Sequence, residues 1–210
     1  MNNVKNVVIR LIKFYMGLAL IQLGVAAYLQ IAIGADSFTV FMQGVAKTFH
    51  LNVGLTNALL TFILLIIVYI LDKKQFKIGM ALAVATAGIL LNVMINFLDV
   101  ILPMNLPMWA LYIEFASACV LIAIGFPLLK SAELGVAPND ALYLAIANRT
   151  GKKYGTIRVI VDAFYLVVGF CLGGVVGIGT VICVIAIGPM VQFVMDYIIK
   201  QDTVLEGRKS

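Results

Sequence analysis

Apolar positions along this chain fall into six long runs. Residues 14–33, 51–71 and 78–98 contain no charge, 109–129 is interrupted only by Glu114, 156–172 carries Arg158 and Asp162, and 178–199 carries Asp196 near its end. An α-helix rises about 1.5 Å per residue, so about 20 residues cover the roughly 30 Å hydrocarbon core of a bilayer. Six spanning helices are predicted.

Two further segments, 37–47 and 138–149, lie between the first and second runs and between the fourth and fifth. A helix of that length reaches about half-way through the hydrocarbon. Their ends are written as helix ends. Ahead of the first, in GADSF, Asp36 or Ser37 can accept the first free backbone N–H groups. In GVAPND, Pro138 has the φ suited to a first turn, and Asn139 and Asp140 add acceptors and negative charge. Lys47 and Arg149 stand at the C-terminal ends, where the helix dipole favours cations, and Gly151 can close the second helix. Two placements fit. Either both are re-entrant half-helices, whose glycine-rich lead-ins at Gly34 and Gly135 bring backbone N–H groups and small polar side chains to the midplane from opposite faces, or both lie flat in the two interfaces and cover the bundle ends. Residues 139–147 are apolar nearly all round, which leans toward burial within protein.

Composition narrows the class. Apolar residues make up 63% and charged residues 12%, against globular norms of about 45–50% and 25%. With a mean hydropathy of +1.08, cytosolic enzymes, nucleic-acid binders and secreted disulfide scaffolds are excluded. The net charge of +5 reports topology instead: with a cytoplasmic N-terminus, 14 of the 15 Lys and Arg lie on or near the inner side and only Lys47 lies outside. Both termini are expected in the cytoplasm of a bacterium, with the chain multi-pass in the inner membrane. No small-residue cleavage site follows the basic N-terminus, so that segment reads as a retained first span. Cys119, Cys171 and Cys183 all fall inside apolar runs and read as lipid-buried or packed free thiols rather than ligands or disulfide partners.

The chain also resembles itself. A shift of 101 sets Gly24 on Gly125, Gly34 on Gly135, Ala46 on Ala147 and Gly54 on Gly155; after one deletion, a shift of 100 sets Gly79 on Gly179, Val84 on Val184 and Gly88 on Gly188, with Asn92 opposite Gln192. With 18 glycines in 210 residues, such ordered matches point to a duplicated unit. Each unit holds three spans, an odd number, so the second must enter the membrane from the opposite side. The predicted fold is an all-α membrane protein with six transmembrane helices as two inverted-topology three-helix repeats, each with a short helix between its first and second spans. Residues 1–103 and 104–202 are the repeats, and 203–210 form a cytoplasmic tail.

Ionisable groups at depth are the strongest pointers to chemistry, since each costs at least about 2.5–3.5 kcal/mol unless paired or wetted. Asp162 is deepest, one turn beyond Arg158, so the two can pair at i, i+4, either as a structural ion pair or as a gating or coupling pair. Glu114 sits near the outer face as a second coupling candidate. Asn92 and Gln192, related by the repeat, can hydrogen-bond a shared ligand or hold helices together. Gly169 and Gly173 form a GxxxG pair in the fifth span. His50, alone in an outer loop, has neither a metal-ligand cluster nor a nucleophile beside it, so neither a metal, a cofactor nor an enzyme activity is expected.

The segments LGVAPNDAL, TGKKYGT, GGVVGIGTV and AIGPM resemble the YczE/YitT family of bacterial membrane proteins, which carry a similar LGVxPxD segment, a downstream GIGT and an IGP near the last span. The resemblance implies roles for Gly135, Pro138, Asp140, Gly155, Gly179, Thr180, Gly188 and Pro189. At Asn139, Gln192, Arg158 and Asp162 this chain departs from the pattern.

Together these readings lead to an expected small-solute transporter or exporter with a midplane site between the repeats. Gly34, Asp36, Ser37, Asn92, Gly135, Pro138, Asn139, Asp140 and Gln192 are expected to bind substrate, and Glu114, Arg158 and Asp162 to couple or gate. Helix N-termini aimed at the site favour an anionic or zwitterionic solute. Membrane lipids and a second copy of the chain are the other expected partners. Two alternatives fit the same sequence: a substrate-binding subunit of an ATP-driven transport complex, and a non-transporting protein that assists lipid handling or envelope assembly.

Overall fold

The computed structural model describes residues 2–31, 34, 36–51, 53–102 and 107–207. Eight α-helices follow one another there: α1 (Asn2–Ile31), α2 (Ser37–Thr48), α3 (Val53–Leu71), α4 (Ile78–Ile101), α5 (Met108–Ser131), α6 (Pro138–Thr150), α7 (Tyr154–Cys171) and α8 (Ile178–Gly207), with a 3-10 turn at Lys73–Gln75. Among the described residues there is no strand. Five helices are long and apolar enough to cross a membrane: α1, α4, α5, α7 and α8. The chain is therefore an all-helical, multi-pass membrane protein. α3 has 19 residues, of which Leu59–Leu71 is the apolar stretch. The helical ends differ from the sequence expectation in two places. α1 starts well ahead of its apolar run, and α8 continues as helix to Gly207 through most of the expected tail. The expected boundary at 103/104 falls outside the described residues, as do Ala32 and Ile33 at the end of the first run.

The two short helices form where the capping chemistry places them. Asp36 caps α2, its carboxylate accepting from the Thr39 backbone N–H at 3.1 Å. Pro138 opens α6, Ala137 occupies the capping position, and Gly151 closes the helix at φ 68°, the left-handed conformation that glycine adopts without a Cβ penalty.

Packing depends on close backbone approach. α1 lies along α5 and also contacts α4; α5 and α7 both contact α8; α2 packs on α7 and α3 on α6. At the α1–α5 contact, a Cβ on Gly17 would stand 2.7 Å from the Gly125 carbonyl, and one on Gly125 2.8 Å from the Gly17 carbonyl. Gly155 of α7 and Gly188 of α8 face each other in the same way, at 2.6 and 2.7 Å. Between apolar helices in lipid, such small-residue seams supply the van der Waals contact that a hydrophobic effect does not.

The outer ends of α2 and α6 are tied to opposite ends of α7. At the C-terminus of α2, a Cβ on Gly44 would clash with Gly169 of α7, and the Thr48 hydroxyl donates to the Leu172 carbonyl at 3.4 Å. The C-terminus of α6 is joined to the start of α7 by residues 151–153, and Asn148 donates to the Asp72 carboxylate at 3.2 Å beyond the end of α3. Hydrogen bonds from Asn148 and Gln75 hold the Asp72 carboxyl below its usual range.

Gly125→Leu is expected to wedge α1 from α5 and to cost about 1–3 kcal/mol, the usual range for overpacking. That loss appears as a Tm several degrees lower for detergent-solubilised protein followed by intrinsic fluorescence. Gly88→Leu is the control, because a Cβ there meets nothing within 4 Å. Equal losses in the two variants would show that the seam is not what holds the helices together.

Candidate functional site

Asp162 lies half-way along α7, and both short helices begin there. The Ser37 hydroxyl, in the first turn of α2, donates to Asp162 Oδ1 at 2.7 Å. From α6, the Tyr143 hydroxyl donates to the same oxygen at 2.7 Å. Asn139 Nδ2 in turn donates to the Tyr143 hydroxyl at 3.2 Å. One carboxylate thus ties the first residue of α2 and the second turn of α6 to α7, and the C-termini of these two helices lie at opposite ends of α7. The arrangement is local in origin: Asp36 ends the α2 lead-in and Pro138 begins α6, so neither helix continues past Asp162.

Arg158, one turn earlier on α7, stands between two carboxylates. Its Nε lies 3.5 Å from Asp162 Oδ2 and its Nη1 3.6 Å from Asp140 Oδ1. The side chains of Arg158, Asp140 and Asp162 are 12%, 19% and 8% exposed, so the three charges are largely removed from solvent. Arg158 Nη1 donates to the Tyr154 hydroxyl at 2.8 Å, and the guanidinium carbon sits 5.4 Å from the centre of the Tyr143 ring and 5.9 Å from that of Tyr154. A buried guanidinium between carboxylates and π-faces is held electrostatically from every side.

These groups open onto a cavity of about 300 Å³, at the small end of the range for ligand sites. Its polar wall comprises Gln22, Asp36, Ser37, Thr39, Asn139, Asp140, Tyr143, Arg158 and Asp162, and its apolar wall comes from α1, α5 and α8, including Cys183. Asp36 faces it as the α2 cap, with a second bond from the Thr39 hydroxyl at 2.6 Å.

Of the expected site residues, Asp36, Ser37, Asn139, Asp140, Arg158 and Asp162 are brought together on this cavity. Others have structural placements beside or away from it. Gly34 presses on the start of α8, where a Cβ would meet the Thr180 backbone nitrogen at 2.5 Å. Gly135 takes φ +114° in the turn before α6, and Pro138 is buried at the first position of that helix. Asn92 is on an exposed face of α4. Gln192 bridges helices, accepting from the Gly155 backbone N–H at 3.1 Å and donating to Asp196 at 2.7 Å. Glu114 lies on α5 outside the cavity, its Oε1 buried with no hydrogen-bond partner among the described residues. Of the three thiols, Cys119 and Cys183 are buried, with Cys119 accepting from the Tyr28 hydroxyl at 3.0 Å, while Cys171 is exposed.

Sequence reasoning missed Tyr143 and Tyr154. Their spacing gave a signal: Tyr143 lies one helical turn after Asn139, and Tyr154 one turn before Arg158, so each shares a face with a polar residue.

The model of the family of unknown function DUF6198 matches residues 8–196. The chain is also similar to an uncharacterized protein of Haemophilus influenzae, 27% identical over 186 residues, covering 86% of this chain and 81% of that one. With YczE, an uncharacterized membrane protein of Bacillus subtilis, it shares 26% identity over 190 residues, covering 90% and 86%. With YyaS, an uncharacterized protein of the same bacterium, it shares 27% over 195 residues, covering 92% and 96%. No solved structure matches the chain.

Tyr143→Phe removes one of two hydroxyl donors to a buried carboxylate and is expected to destabilise the fold by about 1–3 kcal/mol. Because Ser37 serves the same oxygen, the Ser37→Ala, Tyr143→Phe double variant should lose more or less than the sum of the singles by at least about 0.5 kcal/mol. Strict additivity in denaturation of the detergent-solubilised protein would show that the two helix starts are not coupled through Asp162.

Proposed function

The chain belongs to the DUF6198 family, a family of unknown function, and from its cavity we propose that it is a small-solute transporter of the bacterial cytoplasmic membrane. The observation that carries this reading is a charged cavity inside a bundle of membrane-spanning helices, lined by the first turns of two half-length helices. Charges at such depth are costly, and those that persist mark solute or ion pathways.

In this reading α3 is the sixth span, and α2 and α6 are re-entrant. Their starts converge on the middle of α7 while their C-termini lie at its opposite ends, which two helices lying flat in separate interfaces would not do. The helix contacts favour an inverted repeat. Exchanging α1 to α4 with α5 to α8 carries the α1–α4 contact onto α5–α8, α2–α3 onto α6–α7, and α2–α7 onto α3–α6, and leaves α1–α5 in place, while the α7–α8 contact has no comparable counterpart between α3 and α4 among the described residues. A pseudo-twofold axis in the membrane plane has that property, and transporters of this build hold their substrates near the midplane between repeats. Arg158 and Asp162 then form the gating or coupling pair, with Asp140 as their third partner.

Reconstituted in liposomes on a solid support, the protein is expected to give transient currents on rapid exchange into at least one class of small cation, zwitterion or anion. Asp162→Asn should abolish them and Gly88→Leu should leave them. Currents absent in all three classes, or unchanged in Asp162→Asn, would overturn the transport reading. Reporter fusions after residue 50 and after residue 75 should report opposite sides, the second the cytoplasm, as the six-span topology requires; reports from the same side would remove α3 as a span.

A further inference from the structure

On the reading that this cavity is the transport site, we propose that its substrate class is a small organic cation bearing an ammonium or guanidinium group, and that Arg158 is the resident cation with which this substrate competes for Asp162. The proposal reverses the sign expected from the helix N-termini. Those positive ends are already satisfied: Asp36 accepts from the first turn of α2, and Asp140 stands in the first turn of α6. What remains facing the cavity is three carboxylates, Asp36, Asp140 and Asp162, against the single guanidinium of Arg158. With all four ionised, and with about half a positive charge at each of the two helix N-termini, the wall keeps about one negative charge in excess.

Hydrogen-bond chemistry points the same way. Two acceptors on the wall are poorly served. Asn139 Oδ1 is fully buried and accepts no hydrogen bond among the described residues. Asp140 receives one long bond, from the Tyr154 hydroxyl at 3.5 Å. Arg158 does not saturate these acceptors: it meets both carboxylates at ion-pair distance, and its buried Nε donates no hydrogen bond. A ligand that answers these carboxylates and Asn139 Oδ1 brings N–H donors and positive charge, which an ammonium or guanidinium does and a carboxylate or phosphate does not.

The surroundings of Arg158 show what the site holds. The side chain's guanidinium is lodged between Asp140 and Asp162 and beside the rings of Tyr143 and Tyr154, which is how proteins recognise a cationic ligand. Here the cation is tethered to α7. An incoming cation on the cavity side of Asp162 leaves Arg158 to Asp140 and Tyr154, so the ion pair that gates the empty site is exchanged for one with substrate, without an unpaired charge at any stage.

The test is ligand-induced thermal stabilisation of the full chain in detergent, with guanidinium, methylguanidinium and ethylammonium chlorides set against sodium acetate, benzoate and inorganic phosphate. The cations should raise the Tm of the wild type and the anions should not. In Arg158→Gln the same shift should appear at concentrations lower by about tenfold or more, the scale of one charge-assisted contact. In Asp162→Asn it should vanish. Should Arg158→Gln fail to fold, Asn139→Leu, which removes the buried acceptor and keeps the charges, is expected to weaken the guanidinium response more than the ethylammonium one. Stabilisation by the anions alone, or by cations equally in Asp162→Asn, would overturn the cation assignment while leaving a transport site in place. Stabilisation by neither class would count against this proposal and, together with the absence of transport currents, against the transport reading itself.

Discussion

A guanidinium buried among apolar helices can exist only if its charge is answered from within the protein, and the neighbourhood of Arg158 is organised around that requirement. Lipid offers neither hydrogen bonds nor counter-charge. Asp162 answers from one turn along the same helix, Asp140 from the first turn of α6, and Tyr154 from one turn earlier. Asp162 carries the further load of two hydroxyl donors, from Ser37 and Tyr143, and so ties α2 and α6 to α7. Remove the charge and the tie of those two helices to α7 is weakened along with the ion pair.

The cavity depends on how closely the surrounding helices can approach. Where α1 meets α5 and α7 meets α8, the facing residues are glycines, and the backbones approach to distances no side chain would permit. α2, by contrast, is short, so its start leaves room beside Asp162 where a full span would have filled the space. Tight seams and short helices are two halves of one arrangement: the first makes a bundle stable enough to keep an internal space, and the second makes the space.

Much of the fold was legible because lipid imposes a simple rule on composition and length. The six runs, the two short helices at 37–47 and 138–149, and even their caps at Asp36, Pro138 and Gly151 correspond to observed helices within a few residues, except at the start of α1 and the end of α8. The Arg158 and Asp162 pairing follows from helical spacing alone. What the sequence could not show was the meeting of residues 37, 143 and 162, because contacts between distant segments depend on the docking of short helices whose depth has no signature in hydropathy. Asn92 and Gln192 illustrate the opposite failure. Their equivalence in the repeat suggested a shared ligand, but equivalent positions in two copies need not face the same interior: one is exposed on α4 and the other stitches α8 to α7.

The glycines at 88 and 188 carry the same lesson further. A shift of 100 sets one on the other in the sequence, but Gly188 is pressed against Gly155, and Gly88 has open space where a side chain would stand. The same residue is therefore under a strict steric demand in one copy and under none from the chain's own packing in the other. A side chain added at position 88 would displace nothing in the chain, while one at position 188 would drive α7 and α8 apart and loosen the wall that encloses the cavity.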